Sequence, residues 1–326
     1  MNMKTNTHRR GLHRIVAFLL CAVCVFSLLP AQAFAAGVGQ KASSWLGDQY
    51  VGSDGQHYYS PVPTNFLAYN SDGTTDKRSG SGGSAYRHYM LTDSDGVTHS
   101  VYCVESGIPY NTSENTYTSE NGTNSDYLNM LPSAARRGIT LTAIYGWKPG
   151  ASLPVSGINE DDYKMATQII LWEYQQQLRS DPYSRHSNGH ASADQYYSVV
   201  AGRPAEKAYN WILEQVASHS TVPSFTAANK GDAPVLELKW DTSRKVYTLT
   251  VTDTNNLNID LQMLSGSGVT VSRNGNQYTF TSKNMIMEPV SFEFRKDIPV
   301  ANDMLIWGRP GYQTMMTGAS DPVSFF

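Results

Sequence analysis

A thiol and a carboxamide are the two groups of this 326-residue chain whose type and placement suggest chemistry. Cys103, in "SVYCVESGIPY" (100–110), is the last of three cysteines, and Cys21 and Cys24 lie in an N-terminal apolar run. Gln168 stands in "MATQIILWEY" (165–174). A helix there carries Met165, Ala166, Ile169, Ile170, Leu171 and Trp172 on nearly every side, the signature of a helix buried all round. A carboxamide left unpaired in such a place costs about 1–3 kcal/mol. One reaction accounts for both groups. The Cys103 thiolate attacks the Gln168 carbonyl carbon, ammonia leaves, and an internal thioester joins the two side chains.

Several elements must position this pair. The first residues read as a secretory leader: Lys4, Arg9, Arg10 and Arg14, an apolar run from Ile15 to Leu29, and the small-residue site Ala33-Phe34-Ala35. Residues 1–35 are therefore expected to be removed, the run being shorter than the ~20 residues a spanning helix needs. With the leader gone, 21 Lys/Arg face 28 Asp/Glu, a net charge near −7 that offers nucleic acid no basic surface. An unpaired cysteine is unusual in an oxidising compartment and marks Cys103 out again.

"YRHYML" (86–91) and "VTHSVYCVE" (97–105) flank the turn "TDSDG" (92–96) and predict a β-hairpin. Period-two alternation puts Val97, His99, Val101 and Cys103 on one face. Helices are predicted within 131–150, over 159–182 with Asn159 as cap and acids at 160–162, and over 203–219. Beyond a polar linker near 220–233, "VLELKW", "VYTLTV", "GVTVS", "QYTFTS" and "VSFEFR" read as strands of an all-β sandwich. The final "SDPVSFF" stops within a strand-like run, as a fragment would.

"YC" on a strand and "TQIILW" on a helix 65 positions later resemble the Cys–Gln thioester domains of Gram-positive bacterial surface proteins. "LTAIYGWKPG" (141–150) is similar to the family's helix-to-Gly-aromatic-Pro segment. The likeness runs over roughly 45–220, and the sandwich is similar to the β-domain that often follows. The resemblance implies an α+β fold: a mixed sheet/helical thioester domain at 36–222, then an all-β sandwich at 234–326. It implies a Cys103–Gln168 thioester in an environment of Tyr102, Trp147, Thr167, Trp172 and Tyr174, whose four aromatic rings would keep water from an activated acyl group. It further implies a secreted or cell-surface adhesin with no cofactor. A lysine amine on a host surface or matrix protein opens the bond once, without turnover. Family members attach to peptidoglycan through an LPxTG signal, a motif not found in this sequence. His99 and Glu105 are the candidate bases for the incoming amine.

Three other readings stand beside this one. A Cys–His acyl-transferase or protease would pair Cys103 with His88, His99, His186 or His190, yet Cys103 lacks a helix N-terminus and any protease signature. A non-covalent binding module would need only exposed aromatics. The third reading makes Cys103 and Gln168 core residues and nothing more. Intact mass separates these, because thioester formation removes one ammonia. His186 and His190 in "SRHSNGH" lack acidic or thiol companions for a metal, and "DSDG" (93–96) lacks the later Glu of a calcium loop. Lys239 in "LELKWD" is a candidate for an isopeptide cross-link.

Overall fold

Alternation ahead of the helical region becomes antiparallel strands: β1 Lys41–Gln49, β2 Asn65–Tyr69, β3 Thr75–Ser79, β4 Arg87–Asp93, β5 Thr98–Cys103 and β6 Ser113–Asn121. This computed structural model describes residues 37–61, 65–69, 74–79, 84–298, 300 and 303–326. The expected leader at 1–35 lies outside the described residues. Helices follow: α1 Asp126–Met130, α2 Ser133–Tyr145, α3 Glu160–Gln175, α4 Ala193–Tyr197 and α5 Ala205–Ser220. The remaining strands are β7 Lys239–Asp241, β8 Val246–Thr252, β9 Leu261–Ser265, β10 Thr270–Asn274, β11 Gln277–Ser282, β12 Glu293–Lys296, β13 Leu305–Gly308 and β14 Met315–Thr317. The fold is α+β, as the sequence implied.

Six strands close a barrel in the order β1-β4-β5-β14-β13-β6. Directly opposed residues share a face. The pairs Ala42↔Tyr117, Trp307↔Met315 and Met315↔Cys103 therefore turn these five buried residues inward together. The predicted hairpin is β4–β5, with Leu91↔His99 and Tyr89↔Val101 in register. At the start of β4 its ladder with β1 shifts register. Arg87 pairs with Gln49 across a register shift in β1, near Gly47, where a Cβ would stand 3.1 Å from that of His88. The β4–β5 pairing thus ends at Val101, and Cys103 keeps β14 on one side only.

The central helix is α3. Asn159 and Asp162 form a reciprocal capping box, and Glu160, Asp161 and Asp162 occupy the positive end of the dipole. Every residue from Asp162 to Gln175 is buried. α2 packs close through Gly138, where a Cβ would lie 2.1 Å from the Tyr174 ring.

Strands β10-β11-β8-β7 form one sheet and β9-β12 another, and their apolar faces share a core of Phe225, Val269, Tyr278, Phe280, Phe294 and Phe325. The division between the two regions was expected at 222–234. Residues Val38–Phe326 form one compact unit, and the chain leaves this β region to supply β13 and β14 to the barrel. The pattern of short strands reads alike on both sides of that return, so the sequence does not mark where the chain rejoins the barrel. Lys239 is exposed on β7 and therefore lacks the buried setting that a spontaneous cross-link needs.

Candidate functional site

Cys103 is the last residue of β5, and neither it nor Gln168 has any solvent exposure. Because β4 has turned away, the Cys103 peptide groups lack a strand partner on that side. The Gln168 side chain takes the place of one. The Cys103 backbone N–H donates to Gln168 Oε1 at 2.9 Å, and Gln168 Nε2 donates to the Cys103 carbonyl at 2.6 Å. A carboxamide carries the same donor and acceptor as a peptide group, so it can imitate the missing strand. The predicted pair is thus brought together, and the Gln168 amide that the sequence left unpartnered is satisfied by Cys103 itself.

Gln168 Oε1 receives a second hydrogen bond, from the Tyr86 phenol at 2.8 Å. Two donors on one carbonyl oxygen polarise the C=O bond and would hold the oxyanion formed when a nucleophile adds to its carbon. Tyr86 is missing from the sequence reading. Alternation in "YRHYML" puts Tyr86 and His88 on the face opposite Tyr89 and Leu91, but no spacing marks one tyrosine as a donor.

Around the sulfur, Trp172 Nε1 and the Glu105 N–H each lie 3.4 Å from Cys103 Sγ. Burial pushes the thiol up to about 12; the two N–H groups oppose that rise and the Glu105 carboxylate adds to it. The Tyr86 ring meets Trp172 edge-on at 5.7 Å, and Tyr196 lies 6.1 Å beyond. These rings form the cover over the site.

The turn after Cys103 is held from four elements. Val104 N–H donates to the Thr314 carbonyl at 3.0 Å beside β14, and the Val104 carbonyl accepts from Tyr127 of α1. Ser106 N–H donates to Gln175 Oε1 of α3 at 3.1 Å, and the Ser106 hydroxyl meets Tyr196 of α4 at 2.7 Å. Gln175 and Gln176 are fully buried like Gln168, and Gln176 repeats its pattern on Leu67 N–H (2.7 Å) and C=O (2.9 Å).

The other predicted residues divide. Trp172 is at the sulfur. Tyr102 faces away from Cys103, its hydroxyl on the Trp147 carbonyl at 2.9 Å, and Thr167 Oγ1 accepts from Trp147 N–H at 3.0 Å. These three form a layer beside the pair rather than against it. Tyr174 is a correction. It lies about 240° round the helix from Gln168 and packs on α2 at Gly138. His99 shares the predicted face, but it sits about 13 Å along the strand. Its ring is turned to Asp93 (2.8 Å) and Trp307 (5.7 Å), so it does not serve as a base for Cys103. Glu105 is near the sulfur, with its carboxylate on Thr314 N and Oγ1 at 2.9 Å, and burial holds its carboxyl above the ordinary range. His88 bonds Asp161 at 3.1 Å, and His186 and His190 lie in the loop before α4, so a Cys–His pair is not assembled among these side chains. Among the described residues no group of His, Cys, Asp and Glu could hold a metal ion. No described helix is long and apolar enough to cross a membrane.

Residues 100–218 match the family model "TED: Thioester domain", a span containing both Cys103 and Gln168. Among solved structures the chain is similar to the "Thioester domain of the Staphylococcus aureus TIE protein". The two are 15% identical with a TM-score of 0.44, over 86% of this chain and 92% of that one. No match is found among curated proteins.

Proposed function

We propose that the thioester domain at residues 100–218 forms a Cys103–Gln168 thioester and acts as the covalent coupling module of a secreted or cell-surface adhesin. The observation that supports this best is the carbonyl oxygen of Gln168, held at Cys103 between the Cys103 N–H (2.9 Å) and the Tyr86 O–H (2.8 Å). In formation, Sγ bonds to the Gln168 carbonyl carbon, the C–Nε2 bond breaks, and the thiol proton leaves with the nitrogen as ammonia. Proximity and orientation can supply effective molarities of roughly 10⁵–10⁸ M, which offsets the scarcity of thiolate that burial imposes.

Opening is the same addition by another nucleophile. A primary amine on a host protein bonds to the carbonyl carbon, the C–S bond breaks, and the amine proton reaches the departing sulfur. The product is an amide on Gln168 and a free Cys103 thiol. Nothing regenerates the bond, so each molecule couples once and there is no turnover. Free lysine near pH 7 is almost wholly protonated, about one in 10³ being competent, so a docked ligand or a local base must favour the reaction. Glu105 is the nearby carboxylate in this reading. The test is intact mass. Wild type should be one ammonia lighter than its sequence, and Cys103→Ala or Gln168→Ala should restore the full mass. Wild type at full mass with a labelled thiol would refute it.

A further inference from the structure

The buried pair has a close neighbour of the class that opens thioesters. Lys164 is four residues before Gln168 on α3, so the two side chains lie on one face with Cβ atoms about 5–6 Å apart. Lys164 is only 7% exposed, an amine already inside the fold. Four groups hold its ammonium aside. His88 Nδ1 of β4 is at 3.4 Å, Glu160 Oε2 at 3.8 Å, the Trp147 ring centroid at 4.0 Å, and Asp161 adds its charge through His88 and directly.

Resting on the thioester reading above, we propose that Lys164 is an internal acyl acceptor, closing an isopeptide bond to Gln168 when no ligand has been captured. The step balances. Lys164 Nζ as free amine bonds to the Gln168 carbonyl carbon, the Gln168–Cys103 C–S bond breaks, and a proton passes from nitrogen to sulfur. An i,i+4 bridge spans one helical turn and leaves the backbone of α3 unchanged. Burial holds Lys164 below the ordinary amine range, while Asp161 and Glu160 pull the other way, so the free-base fraction is set by this cluster. The acyl group thereby acquires a limited lifetime: it ends as an inert amide rather than reacting with whatever amine or water arrives late.

The two products differ in mass and thiol content. A thioester is one ammonia light with no free thiol. The cross-linked form has that same mass with one free thiol, and the hydrolysed form has a free thiol and regains one water. Full-length protein is incubated at pH 9 without added amine, quenched in acid, denatured, treated with N-ethylmaleimide and weighed. The expected result is a growing species that is one ammonia light yet carries one label, with a Lys164–Gln168 cross-linked peptide on digestion. Lys164→Arg keeps the cation over Trp147 and should give only hydrolysis. Trp147→Phe, a weaker cation–π partner, should speed the cross-link severalfold. A protein that starts one ammonia light and yields only the hydrolysed form overturns the cross-link alone. A protein that starts at full mass removes the acyl donor and overturns both readings. The peptide map in wild type decides the matter even if a variant fails to fold.

Discussion

Tyr86→Phe removes one oxygen from the site and nothing from its packing. The ring stays edge-on to Trp172 and to Tyr50, at centroid distances of 5.7 and 4.9 Å. What is lost is the O–H that donates to Gln168 Oε1 at 2.8 Å, leaving the Cys103 N–H at 2.9 Å as the remaining donor. If the pair stabilises the oxyanion of the tetrahedral intermediate, losing one donor should slow acyl transfer about 10²–10³-fold, or about 2.7–4 kcal/mol of barrier. The folded state should lose far less, about 0.5–1.5 kcal/mol for one hydrogen bond, because the oxygen keeps a partner. Methylamine is mixed with each protein at several concentrations and the adduct followed by intact mass. The variant's second-order constant should fall by about 10². Its urea midpoint should move only slightly. Hydrolysis passes through the same oxyanion and should slow in parallel, so the thioester should last longer in the variant. A variant opened within about threefold of the wild-type rate would refute the oxyanion role. A variant that loses its stability and its rate together would reduce Tyr86 to a packing residue.

Other outcomes follow from the same geometry. Trp172→Phe deletes the N–H at 3.4 Å from the sulfur and thins the cover, so thioester hydrolysis measured by mass should be severalfold faster than in wild type. A chain ending at residue 222 lacks β13 and β14, which close the barrel beside Cys103, and should not show the loss of ammonia; mass of the soluble fragment decides it. Gly138→Ala drives a Cβ to 2.1 Å from the Tyr174 ring and should cost about 1–3 kcal/mol in urea unfolding. In Gln168→Ala the Cys103 thiol is free. Its folded pKa near 12 exceeds the ordinary value, so its contribution is complete below pH ~8.5 and is lost as pH rises toward 12. Stability of Gln168→Ala relative to the Cys103→Ala/Gln168→Ala pair should fall over pH 9–11, by at most about 1.4 kcal/mol per pH unit.

What the sequence disclosed was local. The α3 start is encoded by Asn159 and three acids within four residues, and the β4–β5 hairpin by alternation about an Asp/Gly turn. The Cys103–Gln168 pair was legible because a lone thiol and a buried amide are each anomalous by themselves. The β13–β14 return was not, because pairing Met315 with Cys103 spans 212 positions and leaves no periodic trace. Tyr86 was hidden for a similar reason. Its place depends on the β4–β5 pairing ending at Tyr89↔Val101, a tertiary event that leaves one edge of Cys103 to a helix. Tyr174 misled through proximity in sequence, since six residues beyond Gln168 is about a third of a turn away from it round the helix.

The broken ladder also bears on which nucleophile the site favours. In the amide state one Nε2 hydrogen of Gln168 pairs with the Cys103 carbonyl at 2.6 Å. Thioester formation expels that nitrogen, so the Cys103 carbonyl, deep in a site with no exposure, loses its donor. An orphaned buried acceptor costs about 1–3 kcal/mol. The lost hydrogen is the one syn to the carbonyl oxygen, because the same carboxamide accepts from the Cys103 N–H and donates to the Cys103 carbonyl. Attack by a primary amine gives a secondary amide whose ordinary trans form carries its N–H on the opposite side, and turning it back to the Cys103 carbonyl requires the cis form, about 2.5–4 kcal/mol less stable. Ammonia alone restores both hydrogen bonds in full. The hydrogen bonds around Cys103 thus favour the parent carboxamide, and the coupled product must satisfy the Cys103 carbonyl by another donor.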